Sequence, residues 1–208
     1  MSRKTDPVKT QTILLAAQRR FLQWGYSGTS IAQLAEDLGI TKAALYYHFP
    51  DKEALFLAVV QAYLGEVAAE LAGLSPLFQG DDPGEALRAL ANLFLCRHES
   101  TTQMQQLSLQ ESRHLSPEGQ RTLAMRFHEE MVRPVSGLLQ RAVDHGWLRS
   151  AAVDEPALIW TFLGLLTAFL QPGHETSQEQ GSASAFVRLL LRGLSPENPT
   201  PSQGAIRA

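Results

Sequence analysis

The sequence predicts an all-α protein in which a small helix-turn-helix domain precedes a larger helical domain, with about nine helices in total. Apolar residues recur at helical spacing through most of the chain. Helix-starting pairs such as Asp6-Pro7 and Ser116-Pro117 stand where these stretches begin. No segment shows the sustained alternation of polar and apolar residues that is typical of a strand, so an all-helical fold follows.

The first helix is predicted to begin at Asp6-Pro7 and to end at Gly25. Ile13, Ala17 and Phe21 recur at helical spacing and should form its buried face. The residues after Gly25 then form a turn into the next helix.

The stretch 29–52 is predicted to form two short helices joined by a glycine turn. Ser30 is placed to cap the first helix, and Gln33 would complete a capping box. Gly39 stands where a helix ends with positive φ, and Thr41 is placed to cap the second helix, which Pro50 ends. This order is the outline of a helix-turn-helix, whose second helix enters the DNA major groove.

The second of these helices, Lys42 to about Phe49, has a surface suited to DNA. Leu45 and Phe49 lie four residues apart and give it one buried edge. Small residues at its start allow close approach to base edges, while lysine, tyrosine and histidine can donate to phosphates. The alternative is a small helical subdomain whose tyrosines only pack. The predicted DNA contacts are Lys42, Ala43, Ala44, Tyr46, Tyr47, His48 and Lys52.

A long helix from Asp51 to about residue 72 is predicted to leave the first domain as a rigid connector. Prolines and glycines in 73–84 predict a loop. Five further helices are expected at about 82–99, 101–113, 116–145 with a bend at Pro134, 156–170 and 183–192. The predicted domains are 1–52 for DNA binding, 53–194 for ligand binding and dimerisation, and 195–208 as a disordered tail.

The formal charge of −3 is unevenly distributed along the chain. Residues 1–52 carry seven lysines and arginines against four acids, or +3, and the remainder carries eleven against seventeen, or −6. This asymmetry is typical of a basic nucleic-acid-binding module attached to an acidic one.

Other features of the sequence narrow the class of protein. The single cysteine, Cys96, excludes an intramolecular disulfide and suits the cytoplasm. No apolar signal segment stands at the N-terminus, and the longest uncharged apolar run, 157–170, is too short for a membrane span. No phosphate loop, nucleophile elbow or metal motif occurs, so we expect neither an enzyme nor a cofactor or metal.

Residues 12–60, from T-I-L-L-A-A-Q-R-R-F to E-A-L-F-L-A-V-V, closely resemble the DNA-binding head of the tetracycline-repressor (TetR) family. The resemblance implies a cytoplasmic homodimeric transcription factor, usually a repressor, released from a palindromic operator by a small molecule. Thr29 matches the family's phosphate-binding residue before the second helix, and Ser30 and Thr41 join it in the predicted DNA-binding set. Ala43 and Ala44 depart from the glycine and the polar residue that many members carry. Lys42 is then the only side chain early in this helix with strong donors for guanine.

In a regulator of this kind the last two helices would pair with those of a second subunit, because a run that is apolar on all sides needs neighbours on all sides. The candidate dimer residues are Leu158, Phe162, Leu165, Leu166, Phe169, Phe186 and Leu190. A small, hydrophobic effector would bind among the middle helices and tilt the connector. The candidate pocket residues are Phe94, His98, Met104, Leu107, Glu111, Phe127, Met131 and Trp160.

Several alternatives stay open on the sequence alone. The chain could be a helix-turn-helix DNA-binding protein that answers to a protein partner or acts architecturally, without a small-molecule inducer. It could activate rather than repress. Each candidate pocket residue could belong to the plain core, since helical spacing explains most of that set. The apolar run 157–170 could likewise be monomer core.

Overall fold

The computed structural model describes residues 7–96, 103–104, 107–108 and 110–147. Within these ranges the chain contains helices and turns and no strand, which confirms the all-α prediction for the described part. Two compact units are present, residues 1–68 with 99–131 and residues 69–98 with 132–208. The helices are α1 (Pro7–Gly28), α2 (Ile31–Asp37), α3 (Lys42–His48), α4 (Lys52–Gly73), α5 (Pro83–Cys96), α6 (Pro117–Phe127) and α7 (Arg133–Asp144).

Helix α1 is interrupted at Gly25, as the sequence predicts for its end. Gly25 has φ 69° and ψ 177°, a conformation that residues with a Cβ rarely adopt, so the regular helix stops there. The predicted inner face is confirmed, since Ile13, Ala17 and Phe21 are at most 3% exposed. Phe21 packs edge-on against Phe56 of α4 with ring centroids 5.2 Å apart, which anchors α1 on the connector helix.

Helices α2 and α3 begin and end at the predicted residues. Gly39 has φ 62° between them, and Thr41 Oγ1 accepts the N–H of Ala44 at 3.1 Å as the N-cap of α3. The predicted capping box of α2 is wrong in its detail. Ser30 Oγ accepts the N–H of Ala32 at 3.2 Å, while Gln33 Oε1 accepts a bond from Arg20 Nη1 at 3.3 Å.

Arg20 joins α1 to α2 through an ion pair with Asp37. Its Nε and Nη2 donate to the two carboxylate oxygens of Asp37, the second at 2.9 Å. These hydrogen bonds raise the pKa of Arg20 and lower the pKa of the Asp37 carboxyl. The pair therefore favours the arrangement of α1 and α2 wherever Asp37 is ionised.

Helix α4 begins as predicted, with Asp51 Oδ1 accepting the N–H of Ala54 at 2.7 Å. By length and composition alone, 52–79 could cross a membrane, a property that the sequence analysis did not assign to this stretch. Core helices of soluble proteins pass the same test. Eight apolar side chains of this helix are buried inside the protein, namely Leu55, Phe56, Val59, Val60, Tyr63, Leu64, Val67 and Leu71.

The remaining described helices follow the predicted order. Asp82 Oδ1 accepts the N–H of Glu85 at 3.0 Å at the start of α5, and Ser116 caps α6. Helix α6 continues through a π-helical turn, His128–Val132, directly into α7. This irregularity stands just before Pro134, which lacks the N–H that an α-helix would use there. Gly146 ends α7 with φ 73°, at the predicted position.

Residues 69–98 and 132–147 belong to the second unit and contribute a core of their own. Phe78, Leu87, Leu90 and Val135 are fully buried. Phe78 lies in the 3-10 turn Leu77–Gln79, and its ring centroid is 6.4 Å from that of Trp147. The Asp6 cap, the helices expected at 156–170 and 183–192 and the tail 195–208 lie outside the described residues, and the division into domains 1–52 and 53–194 stays a prediction.

We predict that Phe21→Ala lowers the free energy of unfolding by about 3–5 kcal/mol, because it leaves a cavity under α1 and removes contacts with two rings. Urea denaturation followed by circular dichroism measures this loss. Leu15→Ala is the control on the same helix, since Leu15 is 52% exposed. Equal losses for the two variants would contradict the proposed anchoring role of Phe21.

We predict that Asp37→Asn lowers the melting temperature slightly near neutral pH and has less effect in acid. The folded protein lowers the pKa of Asp37, so its contribution is present above the ordinary carboxyl pKa and is lost as the pH falls through the lowered value. Melting curves of both proteins between about pH 7 and about pH 2.5 provide the measurement. A difference that persists at the acid end would exclude the ion pair as its source.

Candidate nucleic-acid interface

Helix α3 is held by one edge and exposes the rest of its surface. Leu45 is 1% exposed and Phe49 is 9% exposed, so the predicted buried edge is confirmed. Tyr46 and Tyr47 are 48% and 49% exposed, although apolar rings of this size are usually covered. The exposed predicted contacts are Thr41, Lys42, Ala43, Ala44, Tyr46 and Tyr47, which form what we call the recognition face.

The hydroxyl groups of Ser30 and Thr41 fix the starts of their helices. Each accepts a backbone N–H within its first turn, which satisfies a donor that the helix itself leaves unpaired. Thr41 is exposed at the edge of the recognition face and Ser30 is half-buried. The two caps therefore determine where α2 and α3 begin, whatever else their side chains contact.

His48 stands at the end of α3 and is tied to α1. Its Nδ1 lies 3.1 Å from Thr10 Oγ1, and its ring centroid is 5.6 Å from that of Tyr47. The imidazole is half-buried, unlike the two tyrosines before it. His48 thus fixes the distance between the recognition face and α1.

Thr29 and Lys52, both predicted to contact DNA, point into the protein. Thr29 is 2% exposed, and its hydroxyl donates to the carbonyl oxygen of Gly25 at 2.8 Å. Lys52 Nζ donates to the carbonyl oxygens of Tyr26 at 2.8 Å and Thr29 at 3.2 Å. The ammonium also lies 4.4 Å from the centroid of the Tyr26 ring, within range of a cation–π interaction. Both side chains therefore act on the turn between α1 and α2.

The electrostatic environment of this turn differs from that of an exposed surface. Burial lowers the pKa of Lys52, and the negative charge of Glu111 opposes that change. Burial also raises the pKa of Tyr26, with smaller contributions from Glu53 and Asp51. Lys52 is thus charged within a partly desolvated cluster and faces its own backbone.

Two residues of this cluster have other roles than those that the sequence predicts. Tyr26, between Gly25 and Ser27, is predicted only to lie in a turn, and Glu111 is predicted to line a ligand pocket. Glu111 Oε2 accepts the N–H of Tyr26 at 3.1 Å across 85 residues of sequence. No local pattern signals such a contact; the lone aromatic residue among the small residues of the turn was the one available indication.

The candidate pocket residues are divided between the two compact units. Phe94 belongs to the second unit and is 2% exposed. In the first unit Met104, Leu107 and Met131 are buried, and Phe127 is half-buried. The sulfur of Met104 accepts a weak hydrogen bond from Gln18 of α1 at 3.9 Å. Outside the described residues lie His98, Trp160 and all the candidate dimer residues, namely Leu158, Phe162, Leu165, Leu166, Phe169, Phe186 and Leu190.

Among the described residues no group of three or more histidine, cysteine, aspartate or glutamate side chains is arranged to hold a metal ion. In the described part of the chain, the surface suited to binding is therefore the recognition face. It presents small, cationic and phenolic side chains on a short helix that is firmly anchored. Such a face suits recognition of a phosphate backbone and base edges.

Comparison with known proteins places the strongest likeness in this same region. The sequence profile of bacterial regulatory proteins of the tetR family matches residues 13–59. The transcriptional regulator AcrR of Shigella flexneri is 35% identical over 107 residues, which cover 49% of this chain and 46% of AcrR. The chain thus matches less than half the length of this curated relative.

Solved structures extend the likeness over most of the chain. AibR, whose structure was solved in complex with isovaleryl coenzyme A and operator DNA, is similar with a TM-score of 0.66 at 24% identity, and the match covers 88% of this chain and 98% of AibR. At that identity the likeness shows the fold alone. The TetR family regulator PfmR from Thermus thermophilus is 30% identical with a TM-score of 0.66, over 88% of this chain and 98% of PfmR. The chain belongs to the TetR family of bacterial regulatory proteins.

Proposed function

We propose that the protein is a DNA-binding transcriptional regulator, a homodimeric repressor that binds a palindromic operator and is released by a small hydrophobic effector. The observation that carries this proposal is the recognition face of α3. Its helix is anchored by Leu45 and Phe49, and six consecutive or nearly consecutive side chains face solvent. A core helix would bury such tyrosines, whereas a helix that enters a groove needs them accessible.

The side chains of the recognition face can contact DNA in two ways. Some can read base edges, and others can position the helix by contacting phosphates. Lys42 can donate to the O6 and N7 atoms of guanine, and the methyl groups of Ala43 and Ala44 can contact the methyl group of thymine. The hydroxyls of Tyr46 and Tyr47 can donate to phosphates, which sets register without reading sequence. The face therefore supports sequence-selective binding with Lys42 as the principal base reader.

A dimer with two-fold symmetry would present two such faces. Its operator would be an inverted repeat whose half-sites are centred about 34–36 Å apart, or a multiple of that distance. The family membership supports this part of the proposal, and the dimer surface stays assigned to the sequence around 156–170 and 183–192. A protein with these partners acts in the cytoplasm, where it meets DNA.

The effector is the third part of the proposal. Buried apolar residues of the first unit, such as Met104 and Met131, favour a hydrophobic compound, and the structural relative AibR was solved with isovaleryl coenzyme A and operator DNA. An effector releases DNA only if it binds the DNA-free geometry more tightly than the operator-bound geometry. At saturating effector, the operator affinity would fall by the ratio of the effector's affinities for the two geometries.

The test of the proposal is fluorescence anisotropy with labelled DNA from upstream of the protein's own gene, at stated salt, against a scrambled duplex. We expect tight binding to one inverted repeat with two subunits or more per site. Equal and salt-sensitive binding to both duplexes would instead favour an architectural DNA-binding protein, and no binding to either would contradict the proposal.

We predict that Lys42→Ala changes the ranking of operator variants. Loss of a lysine donor to guanine should reduce the preference for the correct base by about 1–3 kcal/mol at one half-site position. Anisotropy titrations against duplexes mutated one base pair at a time provide the measurement. An unchanged ranking would mean that Lys42 only positions the protein on DNA.

We predict that Tyr47→Phe weakens binding to all DNA sequences by a similar factor, because a phosphate donor carries no sequence information. The same titrations measure the effect on the operator and on the scrambled duplex. Leu15→Ala serves as the control, since Leu15 is exposed on α1 and has no assigned DNA contact. A loss confined to one operator variant would assign Tyr47 to base reading instead.

A further inference from the structure

The turn that joins α1 to α2 is held by side chains from distant parts of the chain. Gly25 has a non-helical backbone conformation and kinks α1 there, which separates the last residues of the helix, 26–28, from its regular part. We call residues 25–29 the turn. Within the turn, the N–H of Thr29 donates to the carbonyl oxygen of Tyr26 at 3.3 Å, and the Thr29 hydroxyl donates to the carbonyl oxygen of Gly25. The remaining polar groups of Tyr26 and Thr29 depend on two other residues.

Lys52 supplies the donors. Its ammonium bonds the carbonyl oxygens of Tyr26 and Thr29 at 2.8 and 3.2 Å, so one side chain joins both ends of the turn. The next residue, Ser30, caps α2, and α2 packs on α3. A change in the position of the turn is therefore passed to the recognition face.

Glu111 supplies the acceptor. Its Oε2 receives the Tyr26 N–H at 3.1 Å, and a Cβ at position 25 would lie 2.9 Å from its Oε1. The glycine at position 25 therefore serves both the positive φ and the close approach of this carboxylate. Lys52 and Glu111 thus bond the two peptide groups on either side of Tyr26, and we call this pair the turn clamp.

The segment that carries Glu111 is also hydrogen-bonded to the start of α4. Glu53, in the first turn of α4, accepts the N–H of Ser116 at 2.8 Å and its hydroxyl at 2.6 Å. Ser116 Oγ in turn accepts the N–H of Gly119 at 3.0 Å as the cap of α6. The segment is therefore bonded to the rest of the first unit at Glu111 and at Ser116, which keeps Glu111 in reach of Tyr26.

We propose that Lys52 and Glu111 are positioning residues for DNA binding, which hold the turn 25–29 so that α3 is oriented for the major groove. The proposal rests on the proposed DNA-binding function. It gives one residue of the predicted DNA contacts and one residue of the predicted pocket a common role in a single structural cluster.

The first test is the salt dependence of operator binding. Each lysine that neutralises a phosphate contributes about one unit to the slope of log K against log salt concentration. This electrostatic contribution vanishes when the line is extrapolated to 1 M salt. We expect Lys52→Met to remain about tenfold weaker than wild type at that extrapolated point, because the variant loses the hydrogen bonds that hold the turn. A loss of affinity that disappears on extrapolation to 1 M salt, or an unchanged affinity, would overturn the proposal.

The second test uses two variants at position 111. Glu111→Gln keeps an oxygen for the Tyr26 N–H and should bind the operator within about twofold of wild type, whereas Glu111→Leu should weaken binding about tenfold at an unchanged slope. Circular dichroism checks that each variant is folded at the temperature of the titration. Equal affinities for the two variants would overturn the proposal even if Lys52→Met did not fold.

Hydrogen exchange tests the turn clamp independently of the DNA-binding function. In the DNA-free protein, the Tyr26 amide should exchange about tenfold faster in Glu111→Leu than in Glu111→Gln, because only the first variant lacks the acceptor. Faster exchange together with no operator binding by the wild type would refute the proposed function and keep the clamp. Equal exchange rates would refute the clamp itself.

Discussion

The backbone of a sharp reversal must find partners for its polar groups, and this constraint governs the head of the protein. Gly25 interrupts α1 with a positive φ, which breaks the helical hydrogen-bond ladder at that residue. The peptide units at this break would lose stability if their N–H and C=O groups were buried without partners. Thr29, Lys52 and Glu111 supply the partners from one neighbouring and two distant positions. The geometry of the helix-turn-helix thus depends on contacts that lie outside it.

Apolar packing supports the same turn from beneath. The rings of Phe21, Tyr26 and Phe56 form a triangle with centroid distances of 6.2, 5.2 and 5.3 Å. Tyr26 is common to this cluster and to the polar cluster, because one face of its ring lies near the Lys52 ammonium. The residue therefore couples the hydrophobic core of the head to its hydrogen-bond network, which explains why an aromatic side chain occupies a turn of small residues.

The sequence predicted most features that depend on neighbouring residues. The caps at Thr41 and Asp51, the end of the regular helix at Gly25, the positive φ of Gly39 and the buried edge of α3 each arise within three or four residues of sequence, so local rules are sufficient. The Ser30–Gln33 box was wrong because Arg20, thirteen residues earlier, takes the Gln33 oxygen. Lys52 and Glu111 could not be placed because their partners lie between 23 and 85 residues away, and only the folded chain brings them together.

The charge of the head, residues 1–52, also shows that the composition and the folded structure give different information. Counting residues gives 1–52 a formal charge of +3, which favours DNA. In the described part of the head, however, Arg20 is paired with Asp37, and Lys52 donates to backbone near Glu111. The exposed cations there are Lys9, Arg19 and Lys42. Within the described part of the head, exposed positive charge is therefore confined to α1 and the start of α3. The acids at 53 and 111, which contribute to the negative remainder of the chain, serve to order the basic head rather than to oppose it.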